Sequence, residues 1–204
     1  MGNSLVINLD DAELVELSWG DPAAFAGLFD RHFVAVYRFC VRRTNQTAAE
    51  DLAGETFRRA FESRHRYEVQ HRDAKPWLLG IASNLIRNYY RNENRRVRAY
   101  SALSGQMANS VSDAAWSIAA QLDARADLAV VAAGLKSLPT EEVDALTMYV
   151  WEELSYAQIA EVQGVPVGTI RSRLNRVRGR IRELLAENGE STGGASTKIP
   201  GGTS

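Results

Sequence analysis

Cysteine is nearly absent: Cys40 stands alone in 204 residues. One thiol can make neither an internal disulfide nor a cysteine-based metal site, and its place between Phe39 and Val41 reads as a small core residue. Histidine is almost as scarce, and His32, His65 and His71 share no metal-ligand spacing with other donors, so they read as loop or surface residues. No stretch of about 18 apolar residues occurs, and the start MGNSLVINLDDAELVEL lacks the basic end and apolar block of a signal peptide. The expectation is a cytoplasmic protein without membrane insertion. Serine-hydrolase, zincin, P-loop and dinucleotide fingerprints are missing as well, which leaves an enzyme reading without a motif and calls for no cofactor or metal. Alternating β-branched runs are lacking while helical periodicity dominates, so the chain is read as all-α.

What the chain does have is uneven charge. Its formal net charge is only −1, yet residues 166 to 186 hold six arginines against Glu183. That basic stretch closes the segment LSYAQIAEVQGVPVGTIRSRLNRVRGRI, residues 154 to 181. Ser155 and Gln158 have the spacing of a capping box that opens a first helix, with Ile159, Ala160 and Val162 on its apolar side. Gly164 suits a sharp turn of positive φ, and Pro166 suits the first turn of a second helix. Ile170, Leu174, Val177, Ile181 and Leu185 then predict one buried stripe, leaving Arg171, Ser172, Asn175, Arg176, Arg178 and Arg182 outside. Such a pair of helices is a helix-turn-helix, whose second helix offers Arg, Asn and Ser to base edges or phosphates in a major groove.

Upstream, Asp21-Pro22 predicts a capped helix running to about Arg43, with Phe25, Leu28, Phe29, Phe33, Val36, Tyr37 and Cys40 on its apolar face. Thr47 with Glu50 predicts a capping box for the next helix, which reaches about Ser63. A polar loop, RHRYEVQHRD, carries Tyr67. Trp77, Ile81, Leu85 and Tyr89 then repeat every four residues along a long amphipathic helix, whose residues 87 to 98 hold five arginines against Glu93. A Ser, Ala, Gly and Asn-rich stretch reads as a flexible linker over 100–117, and a Gly/Ser/Thr-rich tail over 188–204 reads as disordered. Two small helical domains are therefore expected, over 1–99 and 118–187, the second containing the helix-turn-helix.

Four passages in this order, DPAAFAGLFDRH, AAEDLAGETFRRAF, KPWLLGIASNLIRNYYR and the block from SLPTEEVDAL to RGRIREL, resemble the extracytoplasmic-function group of bacterial RNA polymerase sigma factors over roughly residues 15 to 187. The resemblance implies that residues 1–99 bind core RNA polymerase and the promoter's minus-ten element (sigma region 2). It implies that 118–187 read the minus-thirty-five element (sigma region 4). Asp51, Glu55 and Phe57 match the core-polymerase-binding helix; Phe57 reads equally well as a core residue. Where relatives commonly have Gln this chain has Gly54, which leaves one polar contact open. The loop before the Trp-bearing helix forms the family's pocket for an extruded base, and Tyr67 either stacks on that base or packs its ring under the loop. Asn84 and Asn88 match positions that face minus-ten DNA. Arg171, Ser172, Asn175 and Arg176 match those that meet the minus-thirty-five element, with Arg178, Arg180 and Arg182 as phosphate or solvent-facing charges. Core RNA polymerase, promoter DNA and an anti-sigma factor are the implied partners.

The alternative is a helix-turn-helix regulator that binds duplex DNA without joining polymerase. It accounts for residues 154 to 181 but leaves AAEDLAGETF and the basic helix after Asn84 without a role.

Overall fold

The computed structural model describes residues 9–69, 71–104 and 138–193, and among these every regular element is helical. Helix α1 (Asp11–Leu17) opens on a capping box in which Asp10 accepts from the Glu13 amide at 2.9 Å while Glu13 accepts from the Asp10 amide at 2.7 Å. Asp21 caps a short 3-10 turn, Pro22–Phe25, through the Ala23 amide. That turn feeds α2 (Ala26–Arg43), which stops where the sequence predicts.

Helix α3 (Gln46–Ser63) departs from the expected start. Its cap is Asn45, which accepts from the Ala48 amide at 2.9 Å, and Thr47 already lies inside the helix. Asparagine is the stronger cap and comes first along the chain, so the Thr47–Glu50 box does not form. Helix α4 (Lys75–Ser104) runs beyond the expected end at residue 99, because Ala and Leu in AYSALS favour helix and no proline stops it. The rest of the expected linker lies outside the described residues.

The carboxy-terminal unit comprises α5 (Thr140–Val150), α6 (Tyr156–Gln163) and α7 (Val167–Gly193). Ser155 and Gln158 form the predicted capping box, and Gly164 ends α6 in the left-handed region at φ 62°. Helix α7 continues to Gly193 rather than stopping near 187; residues 194–204 of the expected tail lie outside the described residues.

Leu28, Val36, Phe39 and Cys40 of α2 pack on Ala49, Leu52, Phe57 and Ala60 of α3 and on Leu78, Leu79, Ala82 and Ile86 of α4. In the second unit Met148, Ile159, Ile170 and Leu174 are buried, with Val143 and Val177 beside them. The predicted stripe of α7 holds through Ile181 but ends on Leu184, whereas Leu185 is 43% exposed. Four turns of an α-helix span about 14 residues, which returns the face of Ile170 to position 184. The two units, expected to be independent, pack on each other: α6 lies along α4, α5 meets α2, and one apolar core runs across both.

Candidate nucleic-acid interface

Arg171, Ser172, Asn175 and Arg176 are all exposed on α7, and their spacings of three and four place them on one face. Three of the four are held by different partners. Ser172 Oγ donates to the Gly168 carbonyl at 3.0 Å, and Asn175 Oδ1 accepts from Arg178 at 3.4 Å. Arg176 Nε donates at 2.7 Å to Glu142, a buried carboxylate of α5. Arg178 also donates to the Tyr156 hydroxyl at 3.1 Å and lies over the Tyr149 ring. Arg173, one of the six arginines, turns inward to Gln163, whose amide donates to the Glu141 carbonyl. It braces the helix-turn-helix rather than facing a ligand.

A second surface surrounds the loop before α4. A cleft of about 480 Å³ is lined by Arg66, Tyr67, His71, Arg72 and Trp77 together with Gln158 and Glu161 of α6. Of the two readings for Tyr67, the structure has the packed one. The residue is 6% exposed, its ring lies 4.9 Å from Trp77, and its hydroxyl donates to the His71 carbonyl. Burial, with the carboxylates of Asp11 and Asp73, pushes the phenol above its usual range, so it remains a protonated donor. The ring borders the cleft while almost wholly buried, which corrects the picture of an open stacking platform. Asn84 and Asn88 are exposed one turn apart on α4, and Asn84 accepts from Arg87. Asn84 also borders an adjoining hollow with Arg58, Arg59 and Arg66, three cations the sequence reading did not single out.

On α3 the three matched residues separate. Asp51 and Glu55 share the outer face, and Phe57 points inward at 5% exposure against the rings of Phe29 and Phe33. Glu55 accepts from Arg58 and Arg59, and those hydrogen bonds hold its carboxyl down to about 2. An exposed ring that touches α3 through Phe57 is Phe29 of α2, at 41% and stacked on Phe33. The signal for it was the i, i+4 row Phe29–Phe33–Tyr37, which makes the apolar stripe of α2 too wide for the core alone. Gly54 faces solvent, and nothing approaches a Cβ built on it.

His32 corrects another expectation. It lies on α2, largely buried, with Nε2 at 2.6 Å from Asp11. Asp11 also takes a hydrogen bond from Arg31 and one from the Ala74 amide. Burial raises its carboxyl, but these partners outweigh it and bring it to about 2. Asp73 comes close enough for the three to form a metal-sized cluster, yet the oxygens of Asp11 are already engaged.

Two exposed cationic and polar faces on separate helical units, the second a helix-turn-helix, match known sequences. Residues 28–96 match the family model for sigma-70 region 2, and residues 129–181 match that for sigma-70 region 4. The extracytoplasmic-function RNA polymerase sigma factor SigM of Bacillus subtilis is 30% identical over 158 residues, covering 77% of this chain and 92% of SigM. The chain belongs to the extracytoplasmic-function sigma factors. SigE of Mycolicibacterium smegmatis, another member, is 35% identical over 184 residues, covering 85% of this chain and 67% of SigE. Among solved structures, the sigma factor RpoE of Bartonella quintana, in complex with the anti-sigma factor NepR, superposes with a TM-score of 0.61 at 25% identity over 79% of this chain and 96% of that one. The sigma factor is thus a non-enzymatic initiation subunit, and its region 2 match removes the case for a free-standing regulator. No helix among the described residues is long and apolar enough to cross a membrane.

Proposed function

We propose that this sigma factor works in the cytoplasm, joining core RNA polymerase through residues 1–99 and carrying it to promoters with two separated DNA-reading faces. Region 2 then comprises residues 1–99, with 100–117 linking it to region 4 at 118–187. The outer face of α3, with Asp51 and Glu55, and the neighbouring Phe29 ledge make the polymerase contact, while Phe57 supports that face from below. Asn84 and Asn88 meet minus-ten DNA. An extruded base enters the cleft beside Tyr67 and Trp77, where Tyr67 acts as a rigid wall; a cleft of this size is in the range that encloses small ligands. Arg171, Ser172, Asn175 and Arg176 read the minus-thirty-five element from the major groove, and Arg178 and Arg182 add affinity without sequence information.

The observation that carries this reading is the exposed quartet on α7, held on a capped and glycine-terminated helix pair that serves as a rigid mount. An anti-sigma factor is the regulator the reading implies, since the RpoE relative was captured with one. The test adds purified protein to core polymerase on a library of promoter fragments and sequences the transcripts core alone does not make. New transcripts downstream of two shared motifs, one to two helical turns apart, are the expected result. Duplex binding with neither core binding nor new transcripts would sink it.

A further inference from the structure

The Tyr67–Trp77 cleft takes most of its wall from one stretch of chain, residues 66 to 77, at the junction of α3 and α4. The upstream part of that stretch is closed on itself. The His71 amide donates to the Glu68 carbonyl at 2.9 Å, and the Tyr67 hydroxyl donates to the His71 carbonyl. The downstream part is tied to a residue far away in sequence. Ala74, wholly buried just ahead of α4, donates its amide hydrogen at 2.8 Å to Oδ2 of Asp11, the first residue of α1. Trp77 follows three residues later, so this bond sets where the second aromatic wall begins.

Asp11 is itself held in place. His32 Nε2 lies 2.6 Å from the same oxygen, and Arg31 donates to Oδ1 at 2.9 Å while its other terminal nitrogen reaches the Leu9 carbonyl at 2.5 Å. Alongside, Arg72 of the loop lies 3.7 Å from Asp10. The Asp11 carboxylate is 7% exposed, so water competes little for it, and a hydrogen bond to an ionised acceptor is about twice as strong as a neutral one. Local capping of α4 falls to Asp73, which accepts from the Lys75 amide at 2.9 Å. What Asp11 adds is a tie from the loop of the cleft to the body formed by α1 and α2. A pocket for a flipped base works only if its walls stay within about 0.5 Å of the productive geometry, and residues behind the walls supply that precision.

We infer that Asp11 is a positioning residue for promoter opening: it touches no DNA, and through the Ala74 amide it holds the Tyr67 and Trp77 walls at the separation an extruded base needs. The role in opening rests on the cleft assignment proposed above; the brace itself does not.

The test uses holoenzyme assembled with full-length variants and a promoter recovered from the fragment library, carrying 2-aminopurine at successive minus-ten positions. Fluorescence rises as the labelled base leaves the stack. Asp11→Ala should slow that rise at least tenfold while binding core polymerase within twofold of the unsubstituted protein. On a fragment whose minus-ten segment is already unpaired, its transcription deficit should shrink to under threefold. In the free protein, amide hydrogen exchange over residues 71 to 77 should become at least tenfold faster and stay unchanged across the α2 and α3 core. Val36→Ala, which truncates the α2 core and leaves the brace intact, is the destabilised control and should open promoters at the normal rate. His32→Gln loosens Asp11 without emptying its site and should slow opening several-fold, which carries the test if circular dichroism shows Asp11→Ala unfolded. Unchanged exchange over 71 to 77 in folded Asp11→Ala overturns the brace. Equal slowing in Val36→Ala reduces the effect to stability and overturns the positioning role. Normal opening in Asp11→Ala with slow opening in Tyr67→Ala overturns that role alone. Normal opening in both removes the cleft reading, and the role with it.

Discussion

Glu142 and Arg176 form a 2.7 Å pair whose members differ sharply in environment, the carboxylate 7% exposed and the guanidinium 60%. The acid is fixed in the body of region 4, and the base extends from it toward solvent. Arg176→Ala and Arg171→Ala should each weaken minus-thirty-five-dependent transcription by about 1 to 3 kcal/mol, the worth of a good bidentate base contact. Glu142→Gln keeps the shape but loosens Arg176, and a smaller loss in the same direction is expected. Transcription from promoters altered one base at a time in that element measures all three; unchanged promoter choice in both arginine variants would contradict the assignment.

Two glycines should respond in opposite directions. Gly164 has φ 62°, where any side chain costs about 1 to 2 kcal/mol, so Gly164→Ala should lower the urea midpoint of region 4. Gly54 sits in an exposed part of α3 with open space around it, and Gly54→Ala should add about 0.5 to 1 kcal/mol. Equal midpoints for both variants would undo this account of the turn.

Phe57 and Phe29 touch each other yet should separate stability from binding. Phe57→Ala empties a core site and should cost about 3 to 5 kcal/mol. Phe29→Ala removes a ring only partly exposed and should lower the urea midpoint much less than Phe57→Ala while weakening the complex with core polymerase. Titration of labelled protein against core polymerase reads the second effect, and full affinity in Phe29→Ala would take the ledge out of that contact.

Acid stability should depend on Asp11. Its carboxyl lies at about 2 in the fold against an ordinary value of 3.8, so its contribution is complete above about pH 4 and is lost as pH falls toward 2. The gap corresponds to about 2 kcal/mol. Urea midpoints taken from pH 7 to 2 should fall less steeply in that window for Asp11→Asn; parallel curves for variant and native protein would rule this out.

Helix identity was legible because Asp21-Pro22, Ser155 with Gln158, and Gly164 each act within a few residues of the backbone they shape. The α7 quartet was legible for a related reason, since a helical period sends Ile170, Leu174 and Val177 inward and the residues between them outward. Which of two adjacent caps wins is a finer matter, and Asn45 displaced Thr47. Partners distant in sequence could not be read at all. Nothing near Arg176 points to Glu142, because an arginine in a basic run looks the same whether it meets solvent or a buried acid. The width of the α2 stripe did hold a clue to Phe29, but a stripe cannot tell which of its edges is covered.

Cys40 lies fully buried in the region 2 core, and burial raises its thiol to about 12. The thiolate that oxidants and electrophiles attack is therefore almost unpopulated, and the sulfur is shielded from them. With no other cysteine in the chain, this factor is chemically deaf to thiol-oxidising stress. Any such signal has to be sensed by another molecule and passed on by contact.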